Sequence, residues 1–339
     1  MKKPKKNVRV TLQEVADHAG VSTTTASLVV RNNPRISQAT RDKVLASMEE
    51  LGYVYDRVAA NMRSQNSNII GVIVTDIANK FISEFLIGVQ NKLEGFGYTV
   101  LLGTTFDSVE KQQKLISTMV EHRVDGLILN PASRSIGKTV KQLNNLRIPL
   151  VLANRELTNV NADYVGIDYQ EGAYKAVNHL VRKGHEKIAF LGGVKKSSTW
   201  TERMEGYRMA YENAGLLLDE SLIIDSDPTN KGGEEAVLKL LNLPDIPTAI
   251  FCFNDLVAFG VMRVLTQKGI VIGRDIDIVG FDNIPEAEIY HPPLTTVSSY
   301  PKSIGNQAAK VLHSKIKRES EELQRIILKP QLVIRETSK

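Results

Sequence analysis

The sequence has one cysteine, Cys252, so it can hold no internal disulfide, no multi-cysteine zinc site and no iron–sulfur cluster. That thiol sits inside an apolar, strand-like run, where buried thiols are inert. Long hydrophobic runs are missing as well. Stretches such as Ile69 to Val74 fall far short of the roughly 20 apolar residues that cross a bilayer as a helix. The start, Met1-Lys2-Lys3-Pro4-Lys5-Lys6-Asn7-Val8-Arg9, has the cations of a secretory signal but no apolar segment behind them. A soluble, cytoplasmic protein with no membrane partner is therefore expected. There is no Gly-x-x-x-x-Gly-Lys-Ser/Thr loop, no Gly-x-Gly-x-x-Gly and no His-Glu-x-x-His. His185 follows Gly184 and His291 precedes Pro292, which marks both as turn residues, and His18 reads as a solvated helix face. An enzyme is thus the second reading, and no cofactor or metal is expected.

What remains is an ordinary globular composition: 339 residues, 42% apolar and 24% charged, enough for two or three domains. The formal charge of +5 is unevenly placed. Residues 1–65 carry eleven Lys and Arg against six Asp and Glu, whereas the other 274 carry 32 of each sign. All the excess positive charge lies in one fifth of the chain, as in a segment that meets a polyanion. Charge alone also fits a solvated basic tail.

The helices in this segment narrow the choice. Thr11 and Glu14 have the spacing of a reciprocal capping box, and Leu12, Val15, Ala16 and Ala19 then recur on one helical face. Gly20 closes that helix. Ser22 caps a second one with Ala26, Val29 and Val30 inward, and Ser37 a third with Val44, Leu45, Met48 and Leu51 inward. Two short helices joined by a tight glycine-containing turn form a helix-turn-helix. The outward residues of its second helix are Thr23, Thr24, Thr25, Ser27 and Leu28. A merely solvated helix favours Glu, Lys and Gln there. Hydroxyls instead suit phosphate oxygens and base edges; a small bundle that uses Ser and Thr only as caps is the bland alternative. Residues Asp56 to Arg63 are too few to be helical alone in water and by themselves read as a linker.

Beyond the polar break at Gln65 to Asn68 the pattern alternates. Strands are expected at Ile69–Val74, Thr99–Leu102, Gly126–Leu129, Leu150–Ala153, Ile188–Leu191, Ala249–Cys252 and Ile276–Val279. Helices are expected at Glu84–Glu94, Val109–His122, Glu202–Ala214 and Asp255–Lys268. Such alternation makes parallel sheets covered on both faces, here two similar α/β lobes with a cleft between them. Ligands of open α/β sheets sit beyond the carboxyl ends of the strands. Residues following the strands include Asp76, Phe81, Asn130, Asn154 and Arg155, and later Trp200, Arg203, Asn254, Asp255, Asp282 and Asn283. Amide, carboxylate and guanidinium forks pair with neighbouring sugar hydroxyls or with a carboxylate. The sole tryptophan, Trp200, offers a face for an apolar sugar surface. Asn254 and Asp282 read equally well as helix caps or turn residues. Arg203 has no capping role and begins a helix where the dipole disfavours a cation, which makes it the strongest single candidate.

Several motifs of the first segment closely resemble the DNA-binding headpiece of the LacI/GalR family of bacterial transcription regulators. They are Val10-Thr11-Leu12-Gln13-Glu14-Val15-Ala16, Ala19-Gly20-Val21-Ser22-Thr23-Thr24-Thr25-Ala26-Ser27, Ser37-x-x-Thr40-Arg41, Leu51-Gly52-Tyr53 and Arg57-Val58-Ala59. The resemblance continues through Val124-Asp125-Gly126, Gly166-Ile167-Asp168, Glu202-Arg203-x-x-Gly206-Tyr207, Asn254-Asp255-x-x-Ala258-x-Gly260 and Val279-Gly280-Phe281-Asp282, and so covers essentially the whole chain.

The resemblance implies an all-α helix-turn-helix headpiece at 1–55, a hinge at 56–66 and a two-lobed, periplasmic-binding-protein-like core at 67–339 built on two doubly wound parallel sheets. The N-lobe would take 67–167 and 298–324 and the C-lobe 168–297 and 325–339, with crossings near Asp168, Val297 and Gln324. It places Thr23 and Thr24 at base edges, Ser22, Thr25, Ser27, Arg31, Ser37 and Tyr53 on phosphates, and Leu28 against a thymine methyl or nothing. Ala59, Met62 and Arg63 fall on a hinge helix that orders on the operator, Met62 standing where the family usually wedges a leucine into the minor groove. Effector contacts carry over to Phe81, Asn130, Asn154, Arg155, Thr199, Arg203, Asn254 and Asp282. Pro228 departs from an aromatic that several members place against the ligand, and Trp200 is the candidate replacement. The chain ends four residues after Arg335, without the leucine-rich tail of tetrameric members, so a homodimer is implied. The whole then reads as a repressor of a pseudo-palindromic operator, controlled by a small molecule, most simply a sugar. A sugar-binding protein that recognises no operator would explain the lobes but not the headpiece.

Overall fold

Two units, Met1–Ser67 and Asn68–Lys339, make up the computed structural model, which describes residues 10–54, 67–195 and 197–339. The hinge residues Ala59, Met62 and Arg63 lie outside the described residues.

In the first unit, helix α1 (Leu12–Ala19) starts with the expected reciprocal cap. The Glu14 amide donates to Thr11 Oγ1 at 3.3 Å and the Thr11 amide to Glu14 Oε2 at 2.7 Å. Gly20 ends it in the left-handed conformation at φ 66°, donating back to the carbonyls of Ala16 and Asp17. Ser22 and Ser37 cap α2 (Thr23–Val30) and α3 (Gln38–Glu50). Val15, Ala16, Ala26, Val29 and Val44 form the small core, with Leu12, Met48, Leu51 and Tyr53 packed around it. Leu45 does not join them: it is 48% exposed, and Ser47 takes the inward place three residues after Val44. Ser47 is satisfied there because its hydroxyl donates to the Lys43 carbonyl at 2.9 Å and bonds His18 Nδ1 at 3.1 Å. His18 is exposed, yet it ties α1 to α3.

The second unit runs β1 (Ile69–Val74), α4 (Lys80–Gly95), β2 (Thr99–Thr104), α5 (Val109–Glu121), β3 (Gly126–Leu129), α6 (Lys138–Asn144), β4 (Leu150–Ala153), β5 (Asp163–Ile167) and α7 (Tyr169–Arg182). It continues through β6 (Ile188–Leu191), α8 (Ser198–Asn213), β7 (Ile223–Ile224), α9 (Asn230–Leu240), β8 (Ala249–Cys252) and α10 (Asp255–Gln267). The last elements are β9 (Asp277–Asp282), α11 (Glu286–Ile289), β10 (Thr295–Ser298), α12 (Pro301–Ile316), β11 (Arg325–Leu328) and β12 (Gln331–Val333). One sheet has the order β11-β5-β4-β3-β1-β2 and is parallel throughout. The other, β12-β10-β9-β8-β6-β7, is parallel except where β12 runs against β10. Strands β3, β4, β6 and β8 are buried along their whole length, because helices cover both faces.

The chain passes between sheets after β5, after β10 and after β11. The third passage lies between Leu328 and Gln331, later than the expected Gln324, so 325–328 belong to the first lobe. Arg325 to Leu328 extend the first sheet in register with Tyr164 to Ile167, and Pro330 then interrupts the strand. Helix α7, which no motif marked, packs against α8 through Gly206. A Cβ there would stand 2.1 Å from the Gln170 carbonyl oxygen, so only glycine permits the approach. Among the described residues, no helix is long and apolar enough to cross a membrane.

Candidate functional site

An open cleft in the second unit is lined by residues from both lobes. The first lobe contributes Phe81, Asn130, Asn154 and Arg155 to its lining, and the second contributes Thr199, Arg203, Asn254 and Asp282. Six of them follow a strand or open a helix, as the strand-end rule requires, while Asp282 is the last residue of β9 and Arg203 lies in the second turn of α8. Thr75, Asn79, Ile82, Tyr169 and Phe253 also line it and were not expected. Thr75 and Phe253 directly follow β1 and β8, and Tyr169 comes two residues after β5, so the same rule would have found them.

Arg203 is the centre of the second wall. Helix α8 begins at Ser198, capped by Ser197, four residues earlier than expected, so Arg203 lies in the second turn rather than at the dipole end. Its guanidinium carbon sits 4.4 Å from the Tyr169 ring, 4.3 Å from Phe253 and 4.0 Å from Phe281. Nη1 donates to the Thr199 carbonyl at 3.1 Å, and Nη2 stands 3.8 Å from Asp282 Oδ1. Arg203 is 3% exposed, and its Nε is buried with no partner among the described residues. Burial pushes the Asp282 carboxyl up to about 7, against the pull of Arg203 and the Ser299 hydroxyl. Asp282 holds φ at 116°, a strained value for a residue with a Cβ, at the point where β9 meets the cleft. Asn254 serves as a cap after all: Oδ1 accepts from the Val257 amide at 2.9 Å while Nδ2 donates to the Pro228 carbonyl at 3.2 Å.

In the first wall the Asn130 Oδ1 is buried with no partner among the described residues. Tyr169 donates its hydroxyl proton to Asn154 Oδ1 across the lobes. Arg155 Nη1 donates to Asp107 Oδ1 at 2.5 Å and to the Pro131 carbonyl at 3.0 Å. Asp76 stays out of the cleft and accepts from the Ala78 amide in its own turn. Asn283 accepts from Arg335 Nη2, and Asp255 is buried under Thr296 and the Ile284 amide.

Trp200 does not reach the cleft. One residue beyond Thr199 turns a side chain about 100° around the helix, and Trp200 stacks on Phe190 at 5.9 Å, beside Lys195, Met204 and Arg208 in a separate cavity. It cannot stand in for an aromatic at Pro228, which itself lines the cleft. Cys252 is buried, and burial raises its thiol well above the ordinary value.

On the headpiece, Thr24 and Arg31 are exposed, and Thr25, Ser27, Leu28 and Tyr53 are half-buried. Thr23 Oγ1 donates to Gln13 Oε1 at 2.5 Å, a link between α1 and α2. Ser22 and Ser37 accept from the amides of Thr25 and Thr40, at helix starts whose partial positive charge suits an anion.

The profile of the bacterial regulatory proteins of the lacI family matches residues 11–56. That of the periplasmic binding proteins and sugar binding domain of the LacI family matches residues 67–336. The HTH-type transcriptional repressor PurR of Photobacterium profundum is 33% identical over 329 residues, 97% of this chain and 98% of its own. A solved lac repressor dimer bound to operator and the anti-inducer ONPF aligns with a TM-score of 0.86 and 28% identity, over 98% of this chain and 99% of its own. A complex of the transcriptional regulator CelR with cellobiose aligns with a TM-score of 0.74 and 31% identity, over 97% and 100%. With a helix-turn-helix unit, a two-lobed core and relatives that are transcriptional repressors rather than enzymes, this chain belongs to the LacI family of bacterial regulatory proteins.

Proposed function

We propose that the chain is a homodimeric repressor of a pseudo-palindromic operator, and that an uncharged carbohydrate bound in the cleft controls its affinity for DNA. The observation that carries this reading is the pair of buried, unpartnered polar atoms on opposite walls, Asn130 Oδ1 and Arg203 Nε. A buried group left without a partner costs about 1–3 kcal/mol, and a hydroxyl ligand removes that cost by donating to the first and accepting from the second. Asp282 and Asn254 supply further forks for neighbouring hydroxyls, and Phe81 and Phe253 offer apolar surface to a sugar ring. The cellobiose-bound relative supports the carbohydrate class.

Each headpiece reads one half-site, with Thr23 and Thr24 at base edges, Leu28 near a thymine methyl, and Ser22, Thr25, Ser27, Arg31, Ser37 and Tyr53 along the phosphates. Ala59, Met62 and Arg63 enter the minor groove. A ligand that contacts both walls favours one lobe arrangement, and it acts on the operator only through its differential affinity for the two, typically about 1–3 kcal/mol of coupling.

Thermal-shift screening against a carbohydrate panel tests the reading. A true effector at 100 times its dissociation constant adds about 2.7 kcal/mol of stability, and the same compound must change operator affinity in a gel-shift assay. A panel in which no sugar does either removes the carbohydrate assignment.

A further inference from the structure

Asp107 is absent from the cleft lining, yet it governs one of the two cations there. It stands in the turn between β2 and α5, where Phe106 and Asp107 both adopt left-handed backbone at φ 49° and 61°. Residues with a Cβ are held in that region only when their surroundings over-determine them. Here the Asp107 carboxylate does so. Oδ1 accepts from Arg155 Nη1 at 2.5 Å and from the Ser133 amide at 3.0 Å, and Oδ2 accepts from the Ser133 hydroxyl. Burial alone would raise this carboxyl, but Arg155 and the Ser133 bonds outweigh it and hold it below the usual carboxylate range. Among the described residues, nothing accepts a hydrogen bond from Arg155 Nη2 or Nε.

We propose that Asp107 is a specificity-determining residue of the cleft: by cancelling the charge of Arg155 while leaving the donors of Nη2 and Nε free, it makes this wall receive hydroxyl oxygens and turn away anions such as phosphorylated sugars. The inference deepens the carbohydrate reading and rests on it for the natural ligand. An unpaired guanidinium is the preferred partner of phosphate, which it grips through two parallel N–H bonds. With Asp107 already on Nη1, a phosphate must either displace the carboxylate or bind beside it and bear the repulsion of like charges. A neutral hydroxyl meets neither obstacle. The opposite wall follows the same rule, since Asp282 lies 3.8 Å from Arg203. Every arginine among the described lining residues therefore has a carboxylate within 4 Å.

Calorimetric titration with inorganic phosphate, and with glucose 6-phosphate beside glucose, tests this on the full-length chain. The wild-type protein is expected to show no saturable phosphate binding at low millimolar concentration. Asp107→Asn leaves Arg155 uncompensated and should bind phosphate at least about tenfold more tightly than wild type, a gain that weakens as salt is added. The gain should vanish in Asp107→Asn/Arg155→Gln, and Asp107→Glu, which keeps the charge, should restore rejection. Asp107→Ser makes the same charge change if the amide variant does not fold. A purely structural role would lower thermal stability without altering anion binding. Wild-type phosphate binding equal to that of the neutral variants, or a gain that survives Arg155→Gln, overturns the assignment. Phosphate reads charge alone, so failure of the carbohydrate panel leaves this result standing. Failure here leaves the sugar assignment intact.

Discussion

The two walls of the cleft each hold an arginine, by different means. In the first lobe, Arg155 is tied by hydrogen bonds to Asp107 and to a carbonyl, with 15% of its side chain exposed. In the second, Arg203 has 4% of its side chain exposed and is held chiefly by the three rings around its guanidinium. Hydrogen bonds fix orientation but consume donors. Rings attract the cation through their faces and make no claim on its N–H groups, so Arg203 keeps Nε for a ligand. Under the proposed reading the walls do unequal work: the second supplies grip, and the first sorts by charge.

The largest expected effect is at Arg203. Arg203→Ala empties the ring cage and leaves Asp282 buried without its partner. Breaking a buried pair in this way costs about 3–5 kcal/mol, visible in chemical denaturation, and the operator complex should no longer respond to effector. A variant as stable as wild type that still responds would erase the contrast between the walls.

A smaller effect separates the two carboxylates by pH. Asp282 is raised from 3.8 to about 7 in the folded protein, so the folded state binds its proton more tightly than the unfolded chain does. The stability this group contributes is therefore full below pH 4 and lost as pH rises toward 7. Glu202, also pushed up to about 7 by burial, acts in the same direction. Effector affinity should move oppositely, falling up to about tenfold per unit below pH 7 as Asp282 takes up its proton and ceases to accept from two hydroxyls. Asp107, held low, stays ionised throughout that range. Calorimetry at pH 6 and pH 8 reads the slope, and a flat profile would remove Asp282 from direct ligand contact.

The smallest effect is expected at Trp200. Trp200→Phe alters a stacked ring on the far face of α8 and should leave effector affinity within about twofold of wild type, because contacts outside the cleft do not enter the binding term. A loss comparable to that of Arg203→Ala would put Trp200 back against the ligand.

Much of this is legible in the chain itself. The capping box at Thr11 and Glu14 depends on a spacing of three and appears where expected. Short apolar runs mark most of the buried strands, but not β5 or β10, which are buried along their whole length too. Arg203 is legible too, but through a helix start that lies four residues off, so position along the chain outperforms the dipole reasoning. Trp200 is misplaced although Thr199 and Arg203 are four apart and the tryptophan is one off that face, a periodicity the sequence does contain. Leu45 is misplaced for another reason: hydrophobicity favours it over Ser47, and only the hydrogen bonds available to Ser47 reverse the choice.

Asp107 leaves no trace in the sequence. Its partner lies 48 residues away, on another strand end. Readable along the chain is what neighbours within one helical turn settle: caps, most helix and strand runs, the basic headpiece and the residues beyond the strands it marks. Tertiary structure alone decided which carboxylate meets which arginine, which rings enclose Arg203 and where the chain last changes sheets. Local backbone geometry constrains groups three or four residues apart, whereas charges and rings that meet through space are brought together only by sheet order and helix packing.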